Sequence, residues 1–346
     1  MDRSPFIIIV ASGGDIDMKG GFTMKVFVAG STGVLGRRIA RDLTERGHQV
    51  MGLTRGERGD ELIESLGAQP VRGDLFDAQS MTEATQGADV LIHAATAIPT
   101  KTKPSLDDWR ENDRIRTEGT DALIRAATTV GASKLVLQSI VWVARQPDGS
   151  WFDEDAMPHP DRTAESMLVA ERQAQHAAEE QGLEVAILRC GLFHAPDAAH
   201  TRLYGELLQQ GKLPIVGGGP LGRRDALLSH VHVDDAARAF VAATESEQAG
   251  LWHVVDDEPA TIADLFKHVA ELLDAPRPSR IPGWLAKAVI GPDSVKLLTH
   301  SMPTTNQRIG RDLGWAPAYP TYRESYAQIV RAWHSGAIAD EPVVAR

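Results

Sequence analysis

Two hydrophobic periods alternate along most of this chain. Short, nearly unbroken apolar runs recur at KVFVAG (25–30), HQVMGL (48–53), QPVRGDL (69–75), ADVLIHAA (88–95), KLVLQSI (134–140) and EVAILRC (184–190), and they predict six strands. Between them the apolar residues return every three or four positions. Leu35, Ile39, Ala40 and Leu43 fall on one face of a helix from Gly33 to Arg46. The same spacing predicts helices near Asp60–Leu66, one long helix over Trp109–Val130, and another over Thr163–Gln181. Strands apolar on both faces need cover on both sides. Alternation of strand and helix predicts a doubly wound α/β fold with a Rossmann-like parallel sheet and right-handed crossovers.

After Phe193 the texture changes. Glycine and proline cluster at 211–222 and proline again at 276–282, with strand-like runs at 229–233 and 251–255 around a helix at Asp234–Thr244. Further helices are expected at 261–274 and 322–334. This reads as a smaller C-terminal α/β lobe over 196–346 that shapes a substrate pocket, part of which returns to the main sheet. The nucleotide-binding domain is then 24–195. Residues 1–23 read as an extension, since regular structure begins only after Met24, itself a candidate start; the run Phe6–Ala11 is short and lacks a basic flank.

Composition narrows the functional classes. The 346 residues carry 47 acidic and 36 basic side chains, a net charge of −11, which disfavours general nucleic-acid binding. No apolar run is long enough to span a membrane. The single cysteine, Cys190, excludes an intrachain disulfide and suits a reducing, cytoplasmic setting.

The strongest local signal is Gly30-Ser31-Thr32-Gly33-Val34-Leu35-Gly36, closing the first strand and opening the first helix. Glycines there allow a tight turn and a close backbone approach to a pyrophosphate, which the helix N-terminus then holds. An NAD site usually places an acid at the end of the second strand for the ribose hydroxyls. Here Thr54 and Arg55 stand there, and no acid precedes Glu57. Arginine can pair with a 2′-phosphate that a carboxylate would repel, so NADP(H) is expected over NAD(H). Arg37 is a candidate helper, whereas Arg38 reads as a solvated helix position.

These features, with Asp74-Leu75, His93-Ala94-Ala95, Glu118-Gly119-Thr120, the turn LRCGLF (188–193), the run SHVHVDD (229–235) and LGWAP (313–317), resemble the extended short-chain dehydrogenase/reductase superfamily, of the NAD-dependent epimerase/dehydratase type. The resemblance implies cofactor contacts from Asp74, Leu75, Ala94, Ala95, Thr96, Gly191 and Leu192. It also implies a Tyr-x-x-x-Lys pair on the helix after the fifth strand, one turn apart so that both face the cofactor. This chain has no such pair. Alignment on the following Leu-x-Ala-Glu puts Thr163 at the tyrosine position and Met167, still a candidate cofactor contact, at the lysine position; Arg116 replaces an asparagine-like residue.

What chemistry remains is sparse. Ser139, ending the fifth strand, is expected by the resemblance to face the nicotinamide, and His194 is a second candidate for proton transfer. Trp142 and Asp153-Glu154-Asp155 read as substrate cover or solvated loop. His230 and His232 share a strand face, but no metal site is expected. The reading is an NADP(H)-dependent reductase of a small-molecule carbonyl or activated double bond with a non-standard proton donor. Its alternatives are a redox-neutral epimerase, dehydratase or cyclase with retained cofactor, and a non-catalytic NADP(H) sensor. A small-molecule substrate is the expected partner, and a homodimer through the helices near 109–130 and 163–181 is allowed by analogy.

Overall fold

A computed structural model describes residues 23–217 and 225–336. The other residues, including nearly all of the proposed extension and part of the 211–222 glycine cluster, lie outside it.

Seven strands form one parallel sheet: β1 (Lys25–Ala29), β2 (Gln49–Thr54), β3 (Gln69–Arg72), β4 (Val90–His93), β5 (Lys134–Ile140), β6 (Glu184–Cys190) and, from far along the chain, β11 (Gly250–Val254). Their spatial order is β11-β6-β5-β4-β1-β2-β3. The chain therefore winds outward from β1 to β3, then returns to β1's other side as β4. The crevice where the winding reverses, outside the carboxyl ends of β1 and β4, is where such sheets bind ligands. Val26 pairs with Val90 and Ala29 with His93 across that junction.

Strand alternation sends side chains to two cores. Val26 and Val28 meet Ile39, Leu43 and Phe240 on one face, under helices α1 (Gly36–Glu45) and α8 (Val233–Glu245). Phe27 and Ala29 meet Leu123, Met167 and Ala170 on the other, under α5 (Thr120–Val130) and α6 (Glu165–Gln181). The remaining helices on the amino-terminal side are α2 (Glu57–Ser65), α3 (Ala78–Ala84) and α4 (Leu106–Arg114).

The expected single helix over 109–130 is interrupted. α4 ends at Arg114, residues Ile115–Gly119 form a π-helical turn, and α5 follows. A π-turn inserts one residue into the helical repeat and so rotates what precedes it, a feature often found at functional sites. Nothing in the apolar spacing marks it.

Beyond β6 the chain adds β7 (Leu192–His194), α7 (Ala199–Gln209), β8 (Ile215–Val216), β9 (Leu227–Leu228), β10 (His230–His232), β12 (Ala260–Thr261), α9 (Ile262–Leu272), β13 (Arg280–Ile281), α10 (Gly283–Thr299), α11 (Gln307–Leu313) and α12 (Tyr322–His334). The short strands pair β7 with β10, β8 with β13 and β9 with β12. A third core of Leu228, Val255, Phe266, Met302 and Ile329 fills this region. Asp235 ties it to the sheet: its carboxylate accepts the backbone N–H groups of Ala318 at 3.0 Å and Tyr319 at 2.9 Å. The SHVHVDD run is thus joined, at one buried carboxylate, to the residues that directly follow LGWAP.

Candidate functional site

The glycine loop has the shape a dinucleotide requires. Gly30 adopts a φ of +86°, and a Cβ there would lie 2.6 Å from the Ala95 backbone. A Cβ at Gly36 would lie 2.1 Å from the Gly30 carbonyl oxygen. The turn is closed by Gly33 N–H donating to that oxygen at 2.9 Å. Helix α1 starts with no side-chain cap and no acid in its first turn, which leaves its positive end for an anion. Thr32 and Gly33 are exposed on the loop and Val34 is half-buried. Ser31 instead turns inward, donating to the Leu53 carbonyl at 2.9 Å, and Leu35 is a core residue. For these two only the backbone is placed to meet a ligand.

At the end of β2, Thr54 is buried and donates to Asp60, which α2's first turn swings back toward the strand. Asp60 is also paired with Arg72, the residue in register with Thr54 on β3. Sequence distance hid this carboxylate. Its charge is countered by Arg72, while Arg55 and Arg58 stay exposed with no ion pair among the described residues.

Arg37 and Arg38 serve a different end from the expected ones. Arg37 pairs with Asp197. Arg38, far from being a solvated position, is buried between Asp197, at 2.9 Å, and Asp234. Together they clamp α1 to the segment after β7 and to α8.

Along the crevice, Ala94 N–H donates to the Ala29 carbonyl at 2.9 Å, and Ala95 and Thr96 follow with Thr96 exposed. Asp74 is exposed and caps its own loop through the Phe76 N–H. Leu75 packs against Gly119, where a Cβ would come within 3.0 Å of it. Gly191 permits close passage of β10: a Cβ there would lie 2.7 Å from the Ser229 carbonyl oxygen. Leu192 beside it is half-buried.

Both expected proton donors are buried. Ser139 is fully buried and donates to Glu171, which holds Arg189 through two bonds of 2.9 and 2.7 Å. Strand alternation sends Ser139 toward this ion pair under α6, on the same strand face as Leu137. His194 is 1% exposed, and neither ring nitrogen has a partner. It sits among His230, His232 and Tyr326, with ring centroids 5.1–6.0 Å away. Burial, with the neighbouring histidines adding, holds it well below the usual imidazole range and so neutral. The ion pair that engages Ser139 and the rings that enclose His194 were not apparent from sequence. The other candidates near the site are structural too. Glu154 accepts the His253 N–H at 2.9 Å, and His232 caps α8 through the Asp234 N–H. Among the described residues no group of three or more His, Cys, Asp or Glu is arranged to hold a metal ion.

The positions of the absent pair lie beside a small cavity. Thr163 is tied to Asp161 through its hydroxyl at 2.7 Å. Met167 is 3% exposed and lines the cavity with His93, Ala95, Gln138 and Arg116. Arg116, carried inward by the π-turn, donates to the Thr163 carbonyl at 2.9 Å.

Residues 26–254 match the NAD dependent epimerase/dehydratase family, and the chain belongs to it. Among curated proteins it is 36% identical to the 3-diazoavenalumate denitrifying reductase of a Streptomyces species, over 87% of this chain and 98% of that one. It is 27% identical to the 2-alkyl-3-oxoalkanoate reductase of Shewanella oneidensis, over 76% of this chain and 70% of that protein. Among solved structures it resembles a UDP-glucose 4-epimerase from Thermotoga maritima, with a TM-score of 0.73 and 18% identity over 91% of this chain and all of that one. The protein is accordingly an oxidoreductase of this family, with named reductases as its relatives.

Proposed function

We propose that this chain is an NADPH-dependent reductase that delivers hydride to a small molecule whose reduction needs no phenolic acid from the protein. One observation carries the reading. At the two positions where the resemblance implies tyrosine and lysine stand Thr163, its hydroxyl bound to Asp161, and Met167, buried and uncharged. A threonine hydroxyl is a far weaker acid than a phenol, and it is already engaged.

The glycine cradle fits a dinucleotide pyrophosphate, with the loop from Gly30 to Gly36 and the start of α1 as its binding surface. Arg55 just after β2 and Arg58 in the first turn of α2, without ion pairs among the described residues, with Arg72 countering Asp60, favour a 2′-phosphate there. Asp74 and Leu75 would flank the adenine, while Ala94, Ala95, Thr96, Gly191 and Leu192 border the nicotinamide half. Residues 24–195 thus bind the cofactor, and 196–346 complete the substrate pocket.

Bound nicotinamide supplies a hydride; placed on a carbon bearing a diazonium group, it forms the C–H bond as the C–N bond breaks and N₂ leaves with that bond's electron pair. Such a step generates no alkoxide, so it asks for no acid where Thr163 stands. The diazo-reducing relative at 36% identity favours this class. The relatives named for 3-oxoalkanoates keep ketones as the second class, and a ketone here would take its proton from water.

The test is incubation with NADPH deuterated at C4, against a panel of aromatic diazo acids and β-keto acids. Deuterium on the former diazo carbon with one N₂ released per NADPH supports the reading. Reduction of ketones alone would refute the diazo class. NADPH consumption with neither class would refute both.

A further inference from the structure

A small cavity of about 10 Å³, room for little more than a single oxygen atom, lies between β4, β5, the π-turn and α6. Two side chains in its wall have unused hydrogen-bonding capacity. Arg116 is 3% exposed and its Nε–H has no partner. His93, equally buried, bonds the Ile115 carbonyl oxygen through Nε2 at 3.1 Å. A carbonyl only accepts, so Nε2 carries the proton and Nδ1 is an acceptor, also buried and without a partner. Burial, reinforced by the charge of Arg116, pushes His93 down to about 4 and keeps it neutral. Two residues lining the cavity thus carry an unmet donor and an unmet acceptor, which native interiors rarely leave so.

A hydroxyl satisfies both: its oxygen accepts from Arg116 and its hydrogen donates to His93. The void is well below the roughly 300–1,000 Å³ of a whole-ligand pocket. It also abuts the dinucleotide loop, since Ala95 in its wall is the residue that Gly30 approaches. We propose that Arg116 and His93 hold a hydroxyl of the bound redox complex, so that positive charge at this site comes from the π-turn and not from α6, where Met167 stands. Arg116 is a positioning residue in this role. The hydroxyl belongs either to the nicotinamide-side sugar of the cofactor, which the contact with Ala95 favours, or to the substrate. The inference rests on the nicotinamide-nucleotide reading above.

The experiment is a fluorescence titration of the full chain and its variants with NADPH and with 2′,5′-ADP, which lacks the nicotinamide and its sugar. Loss of a charge-assisted hydrogen bond predicts that Arg116→Met weakens NADPH by about tenfold or more while 2′,5′-ADP stays within about twofold. Arg116→Lys recovers part of the loss. Equal weakening of both ligands reports distortion of the whole fold and overturns the proposal. NADPH affinity unchanged, with KM raised only for a hydroxylated substrate over its deoxy analogue, assigns the hydroxyl to the substrate and supports it. No change in either overturns it. Should Arg116→Met fail to fold, Met167→Lys sets a second cation against Arg116 and is expected to weaken NADPH. The double variant Arg116→Asn, Met167→Lys then regains affinity, and its failure to bind better than Met167→Lys alone overturns the proposal. Wild-type protein that binds neither ligand would remove the nucleotide reading itself, whereas wild-type binding of both preserves it whatever Arg116 does.

Discussion

Ser139→Ala separates a structural hydroxyl from a catalytic one. In the structure this hydroxyl donates to Glu171, inside an ion pair in which Glu171 is 1% and Arg189 3% exposed. A hydrogen bond to a charged group contributes about 1.5–3 kcal/mol net. Alanine leaves Glu171 its two bonds to Arg189, so the loss falls within that range. For a chain of this size each kcal/mol moves Tm by about 2 °C, so Ser139→Ala should melt about 3–6 °C below wild type. Glu171→Gln removes the carboxylate and leaves the Arg189 guanidinium buried without its counter-charge, which costs about 3–5 kcal/mol, or about 6–10 °C. The assay is differential scanning calorimetry beside steady-state NADPH oxidation at a temperature where all variants are folded. Ser139→Ala should keep kcat within about threefold, whereas removing a positioned proton-transfer group costs about 10²–10⁴-fold. An unchanged Tm together with a hundredfold fall in kcat would refute this assignment and return Ser139 to the reaction.

Three further predictions test other links. Gly36→Ala places a methyl 2.1 Å from the Gly30 carbonyl oxygen, so it should abolish dinucleotide binding by calorimetric titration; retained affinity would mean that the loop shifts freely. Arg55→Asp should lower the ratio of NADPH to NADH affinity by about tenfold or more with NADH little changed, and an unchanged ratio would remove the 2′-phosphate reading. Stability should fall in mild acid. Burial pushes His93 and His230 down to about 4 and His253 to about 3, in the last case with the charges of Arg189 and Arg308 adding. The unfolded chain binds these protons near 6.5 and the native chain does not, so stability is complete above that pH and is lost as pH falls toward 4, by about 1.4 kcal/mol per unit for each histidine. Urea midpoints between pH 7 and 4.5 measure it, and a flat profile would refute the buried neutral assignment.

The sheet was legible because both faces of each strand are covered. KLVLQSI and EVAILRC read as strands from their apolar continuity alone and form β5 and β6 over the same residues. The glycine loop was legible for a different reason: only glycine tolerates the backbone approaches at positions 30 and 36, so the spacing records the geometry. Side-chain direction was harder to read. Ser139 meets α6's ion pair because Glu171, 32 residues later, lies opposite it, which no local pattern records. Asp60 was invisible at the end of β2 because α2's first turn brings it back in space.

The π-turn was the least legible element, and it bears most on the chemistry. A regular helix through 106–130 has no feature that distinguishes Arg116 from the charged residues around it, and Arg114 and Glu118 do form an exposed ion pair. The inserted residue at Ile115–Gly119 changes the phase, so that Arg116 is buried against Thr163 while Arg114 and Glu118 stay in solvent. Arginine there and methionine at 167 then belong together. With lysine at 167 two cations would share one small void, and with neither the cavity would hold no charge. Under the proposed role of Arg116, substitutions that read separately as losses become a single relocation, and such a site would favour chemistry in which charge is held near the cofactor without a phenol to acidify.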